Sequence, residues 1–186
     1  MTNDTLYRSV PLADMSLDPD DWTVTGTLAP YGREVELVPG IFEVFTRGVF
    51  ASATKAAGRI KFRGAGTGDG HENAPIVGHA LALEERAEGI SGVFRLVDTT
   101  AGRDTMTLLR SGVLDELSIE FKSRADGRVV EARSDGTHIR HTRARLMAVA
   151  PVPAGAYGRD ALVTQVRDAQ SAKREAIIEH LRAIKR

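Results

Sequence analysis

The stretch Gly112-Val113-Leu114-Asp115-Glu116-Leu117-Ser118-Ile119-Glu120-Phe121 sets Leu117, Ile119 and Phe121 in alternation with Ser118 and Glu120. That two-residue period predicts a half-buried β-strand, its apolar set against a core and Ser118 on the opposite face. A serine becomes a nucleophile only when a neighbouring base takes its proton, and such a base needs a side chain free to approach from a loop. His71 meets that need. The run Gly64-Ala65-Gly66-Thr67-Gly68-Asp69-Gly70 before it is too rich in glycine for regular structure, and Pro75-Ile76-Val77-Gly78 after it opens a strand. Taken singly the two residues have ordinary readings, because most serines on a polar strand face and most histidines in Gly/Asp loops are only solvated.

Outward from this strand, further strands are predicted at 22–29, 33–38, 59–63, 75–84, 89–97, 127–133 and 137–149, with 114–122 carrying the serine. Pro30-Tyr31-Gly32 forms the first turn. Phe42, Phe45, Val49 and Phe50 at helical spacing, with Gly58 beyond, predict a short amphipathic helix over 42–57. A second helix over 103–111 is stopped by Gly112. The fold class is therefore α+β, mainly β: a closed antiparallel barrel-like sheet with a few short helices. Residues 1–20 read as a flexible lead-in, 21–160 as the main domain and 161–186 as a C-terminal amphipathic helix. In that last segment Val163, Val166, Ala169, Ile177, Leu181 and Ile184 recur at helical spacing among charged residues, a stripe suited equally to its own chain or to a partner.

Composition narrows the function classes. Lysine plus arginine and aspartate plus glutamate number 25 each, so no global positive field draws the chain to nucleic acid or to anionic lipid. The 42% hydrophobic content of the 186 residues suffices for one core. No run approaches a membrane span, and Met1-Thr2-Asn3-Asp4-Thr5 lacks the pattern of a signal peptide, so a cytosolic protein is expected. With no cysteine, disulfide scaffolds, thiol catalysis and thiolate zinc sites are excluded. Gly64-Ala65-Gly66-Thr67-Gly68 imitates a phosphate loop but lacks the following Lys-Ser/Thr, and His71-Glu72 lacks a second histidine at metal-binding distance. No cofactor and no metal is expected.

The order of segments over residues 22 to 165 resembles the tailed-phage prohead (procapsid) maturation protease family. It runs from Gly26-Thr27-Leu28-Ala29-Pro30-Tyr31-Gly32-Arg33 through Phe45-Thr46-Arg47-Gly48-Val49-Phe50 to His71 and the strand ending at Gly78. Then come Glu88-Gly89-Ile90-Ser91-Gly92-Val93-Phe94, Thr99-Thr100-Ala101-Gly102, the Leu-Ser-Ile strand, Ala144-Arg145-Leu146-Met147-Ala148-Val149-Ala150 and Pro153-Ala154-Gly155-Ala156-Tyr157. No single piece is specific; their order and spacing together are.

The resemblance implies a Ser-His nucleophilic pair on a fold like the herpesvirus assembly proteases, with Ser118 in the nucleophile's place and His71 in that of its general base. Many family members carry a glutamate where Ala148 stands, and that carboxylate serves there as the third catalytic residue. Here His138 and His141 are the candidates to replace it, as a histidine would in the herpesvirus arrangement. His138 shares the strand parity of position 148, His141 lies nearer on the opposite parity, and His141 is carried forward as the third member. His79 rivals His71 as base, although its place inside a strand favours a structural role.

The function implied is a serine endopeptidase that cleaves the scaffold protein, extensions of the major capsid protein and itself during phage procapsid maturation. It would act in the host cytoplasm, inside the procapsid, with no nucleic-acid or membrane partner, and homo-oligomerisation is left open. The alternative is a catalytically inactive capsid-assembly factor on the same barrel, the missing glutamate at 148 marking lost catalysis. A nucleic-acid-binding β-barrel is disfavoured by the zero net charge.

Overall fold

The computed structural model describes residues 5–8, 22–65, 73–153 and 163–167. In chain order the strands are Thr5–Arg8 (β1), Thr23–Pro30 (β2), Val35–Val38 (β3), Ile41–Phe45 (β4), Lys61–Arg63 (β5), Ile76–Glu85 (β6) and Gly89–Leu96 (β7). After them come Glu116–Ser123 (β8), Arg128–Arg133 (β9), Gly136–His141 (β10), Ala144–Val152 (β11) and Val163–Arg167 (β12). Helix α1 is the single turn Ala51–Thr54, and α2 is Thr100–Arg110.

Two sheets result. Eight strands follow the order β1-β8-β11-β5-β6-β7-β2-β12, and four form a second sheet in the order β3-β4-β10-β9. Apolar alternation builds the shared core: Leu117, Ile119 and Phe121 on β8 meet Phe62 on β5, Phe94 on β7 and Leu28 on β2, all fully buried. From α2, Met106 and Leu109 join this cluster. Both ends of α2 are sealed by local chemistry. The Thr99 hydroxyl accepts from the Gly102 N–H at 3.1 Å as an N-cap. At the other end the Gly112 N–H donates to Leu109 and the Val113 N–H to Leu108, a Schellman closure made possible by φ +71° at Gly112. That stop directs the chain into β8.

Several expectations from the sequence are corrected. The large sheet is an open half-barrel rather than a closed one, with β1 and β12 at its edges, because four strands separate into a sheet of their own. The helix expected over 42–57 shrinks to α1, since the aromatics serve two faces of β4: Phe42 stacks on His138 while Phe45 packs on Phe50 and Phe121. The strand expected over 137–149 is two strands in different sheets, β10 and β11, broken at Thr142-Arg143. Val163–Arg167, expected to start the C-terminal helix, pairs antiparallel with β2; residues 168–186 lie outside the described residues. Within the expected flexible lead-in, Thr5–Arg8 pairs antiparallel with β8.

Two glycine substitutions should separate conformational from steric cost. At Gly112 an added Cβ meets nothing within 4 Å, so Gly112→Ala should cost only the left-handed backbone penalty, about 1 kcal/mol. At Gly78 a Cβ would lie 2.2 Å from the Arg95 carbonyl oxygen, and strands β6 and β7 would have to part. Gly78→Ala should therefore cost about 3 kcal/mol by urea denaturation.

Candidate active site

Strand β8 keeps the alternation read from its sequence, with Ser118 and Glu120 on the face opposite Leu117, Ile119 and Phe121. This second face is not wet: Ser118 is 5% exposed and Glu120 8%. Across the ladder, Ala150 lies opposite Ser118 and Ala148 opposite Glu120, so the hydroxyl and the carboxylate each face only a methyl group on β11. Among the described residues none hydrogen-bonds the Ser118 hydroxyl. The buried side-chain oxygens without a hydrogen-bond partner among the described residues are Thr27 Oγ1 and Ser91 Oγ, and the Ser118 oxygen is not one of them.

His71 lies outside the described residues, within 66–72, but both flanks of that segment are fixed. The Gly64 N–H donates to the Pro75 carbonyl at 2.8 Å, closing the stem. The Ala65 N–H donates to Thr105 Oγ1 at 3.1 Å, tying the stem to α2. Arg63, the last residue of β5, donates from Nη1 to the Ala74 carbonyl at 3.1 Å and meets Glu120 Oε2 through Nε at 3.0 Å and Nη2 at 2.9 Å. The segment that carries His71 thus leaves and re-enters beside Glu120, two residues from Ser118.

The other histidines are placed elsewhere. His79 is opposite Lys61, three strands from β8 in the sheet order, which at ~4.8 Å per strand is about 14 Å from the serine strand. His141 belongs to the core side. Its ring is fully buried against Phe45 and Phe121, with Nε2 3.0 Å from Glu43 Oε2 and Nδ1 2.9 Å from Ser123 Oγ. A proton on Nε2 donates to Glu43 and leaves Nδ1 to accept from the Ser123 hydroxyl. The distances imitate a catalytic relay, yet an imidazole with no exposed surface cannot exchange a proton with a substrate. The β8 alternation puts Ser123 and Phe121 on one face and Ser118 on the other, so the structure separates His141 from Ser118.

His138 is in the small sheet, stacked on Phe42 at 4.5 Å. Its Nδ1 lies 2.9 Å from Glu34 Oε1 and its Nε2 3.0 Å from Asp135 Oδ1. The Glu34 hydrogen bond, aided by Asp135, holds the imidazole above its ordinary range, against burial and the nearby Arg133 guanidinium. Neither His138 nor His141 is brought to the serine. Sequence reasoning missed the Arg63–Glu120 and His141–Glu43 pairs; the only sequence signal for the first was that Glu120 shares the parity of Ser118.

Comparison with known proteins follows the same lines. The family described as Caudovirus prohead serine protease matches residues 12–175. No curated protein sequence matches significantly. Among solved structures, the capsid assembly protease of bacteriophage T4, gp21, is similar, with a TM-score of 0.52 at 8% identity over 80% of this chain and 96% of that one. At such low identity the likeness shows the fold alone.

The raised His138 pKa has a sign that can be checked. A group protonated more readily in the folded than in the unfolded chain contributes stability that is fully present below its unfolded value, near 6.5, and is lost as pH rises through the folded value. Urea unfolding at a series of pH values should show stability falling above pH ~6.5, and Glu34→Gln should flatten that slope. His141→Ala, in contrast, should cost about 3 kcal/mol by leaving buried Glu43 without its imidazole partner.

Proposed function

The chain belongs to the caudovirus prohead serine protease family, and we propose that it cleaves capsid-assembly proteins by acyl transfer to Ser118 with His71 as general base. The observation that carries this reading is the largely buried Ser118 on β8, the strand whose Glu120 pairs with Arg63 at the stem of the His71 segment. Away from bulk water, an imidazole that reaches the hydroxyl competes with few other partners for its proton.

In the proposed sequence, His71 takes the Ser118 proton as Oγ bonds to the scissile carbonyl carbon. The tetrahedral oxyanion then collapses, the C–N bond breaks, and the imidazolium returns the proton to the leaving amine. Water, activated by the same imidazole, releases the acyl group and restores the hydroxyl. His138 and His141 are engaged with Glu34 and Glu43, so the couple works as a dyad in this reading.

The name of the T4 protein, a capsid assembly protease, supports a substrate class of capsid-assembly proteins. We assign the scaffold, extensions of the major capsid protein and the enzyme itself as substrates, met inside the procapsid. Confinement there raises effective concentration and relaxes the need for a deep specificity pocket.

The test is chemical. A fluorophosphonate should label Ser118 in the full-length protein, with the adduct mapped by mass spectrometry. Ser118→Ala should abolish labelling and leave self-cleavage lower by about 10⁶, with stability changed by less than about 1 kcal/mol because no hydrogen bond is lost. His71→Ala should reproduce the loss and His79→Ala should not. Processing that persists in purified Ser118→Ala would overturn the assignment, and a wild-type protein that takes no label would favour the inactive assembly factor.

A further inference from the structure

We propose that Lys122, Arg124, Arg143 and Arg145, where β8 ends and β11 begins, form a docking surface for an acidic segment of the polypeptide substrate. The inference rests on the reading of Ser118 given above for its place in the reaction, and on the cluster's own geometry for the rest.

The sheet register puts like charges together. Arg145 lies directly opposite Lys122 in the β8–β11 ladder. Residues so opposed project from one face with Cβ atoms about 5 Å apart, where two cations destabilise the pairing. Lys122 and Arg145 enter no ion pair among the described residues. Glu120, the preceding residue of β8 on that face, is held by Arg63. Just beyond the ladder, Arg124 Nε and Arg143 Nη1 close on the two oxygens of Asp126, each at 3.2 Å. One carboxylate thus serves two guanidiniums, with Lys122 and Arg145 left over. The whole chain carries 25 cations and 25 acids, so this excess is a local segregation of charge and not a matter of composition.

The cluster is fixed in place and open to solvent. The Thr142 and Arg143 N–H groups both donate to the Gly127 carbonyl, at 2.8 and 3.0 Å, which locks the turn after β8 against the turn before β11. A glycine is needed at that contact, since a Cβ on residue 127 would lie 2.1 Å from the Arg143 carbonyl oxygen. The Arg124 and Arg143 side chains are 82% and 72% exposed, and Arg145 is exposed as well. A rigid, exposed and under-neutralised set of cations attracts an anion, and guanidiniums match carboxylates in planar, two-pronged pairs. Two observations favour a polypeptide over nucleic acid. Among the described residues the large apolar side chains at the surface are all aliphatic, with no platform on which a base could stack. The cluster also ends the strand that carries Ser118: Lys122 follows it on the same face, about 14 Å away at ~3.4 Å per residue. An extended substrate therefore presents its acidic side chains about four residues from the bond it offers to Ser118.

The experiment uses the full-length protein and two probes. The first is a fluorescein-labelled oligoglutamate of about eight residues, its binding followed by fluorescence anisotropy. Lys122→Met and Arg145→Met should each weaken that binding about 2- to 5-fold, and the double variant about 10-fold. Salt near ~1 M should abolish it. Methionine keeps the aliphatic stem and removes the repulsion, so the variants should melt at or above the wild-type temperature. The second probe is a fluorophosphonate joined to a short run of glutamates through about four glycines, compared with the same reagent built with glutamines. The glutamate reagent should label Ser118 about 10-fold faster than the glutamine one in wild type, and no faster in the double variant. Oligoglutamate that does not bind, or binds the double variant as tightly, overturns the proposal. So does an oligothymidylate of equal charge that binds as well, which would make the surface one for nucleic acid. A glutamate reagent without advantage overturns the role in presenting substrate to Ser118. A plain alkyl fluorophosphonate that labels another residue, or none, overturns the nucleophile instead, and oligoglutamate binding lost in the double variant still supports the docking surface.

Discussion

The middle of strand β8, Leu117 to Phe121, is buried on both faces, and the surrounding pairings answer that constraint. Its apolar face is spent on the core through Leu117, Ile119 and Phe121, while its polar face, with Ser118 and Glu120, is nearly as buried. A carboxylate in such a place must be paired, because leaving it alone costs several kcal/mol. The pairing falls to Arg63, and Arg63 brings with it the loop stem at Gly64 and Ala74. Ser118, two residues from Glu120, is 5% exposed on the same face.

The second sheet depends on a buried charge of its own. Glu43 on β4 and His141 on β10 lie in adjacent parallel strands, and their contact, sealed by Phe45 and Phe121, ties the small sheet to the core face of β8. Ser123, at the end of β8, completes the chain of hydrogen bonds. One strand therefore carries a serine–imidazole contact at one end and the candidate nucleophile near the other, on opposite faces. Proton transfer needs access as well as distance, and the fully buried His141 has none.

How much of this was legible depended on the range of the interaction that decided it. Alternation located β8, β7 and β6 within a residue or two, and Thr99 and Gly112 marked the ends of α2, because these are local signals. The spacing of Phe42, Phe45, Val49 and Phe50 misled, since a strand with aromatics on both faces followed by a tight turn produces intervals that mimic a helix. The split of 136–152 between two sheets was hidden for a similar reason: a two-residue turn at Thr142-Arg143 carries neither glycine nor proline. Parity between His138, His141 and position 148 lost its meaning once these residues belonged to different strands. Long-range pairings such as Arg63 with Glu120, 57 residues apart, leave no mark in a window of sequence.

The register also bears on the alanine at position 148. Ala148, where a glutamate was expected in many relatives, lies directly opposite Glu120 on the neighbouring strand. Directly opposed residues of an antiparallel pair project from the same face with Cβ atoms about 5 Å apart. Carboxylates at both positions would set like charges face to face in a buried site served by one guanidinium, which the sheet could not accommodate without protonating one of them. One carboxylate per rung is what the pairing tolerates, and either strand can supply it. With Ala148 on β11, Glu120 is the carboxylate at this rung and Arg63 is its partner.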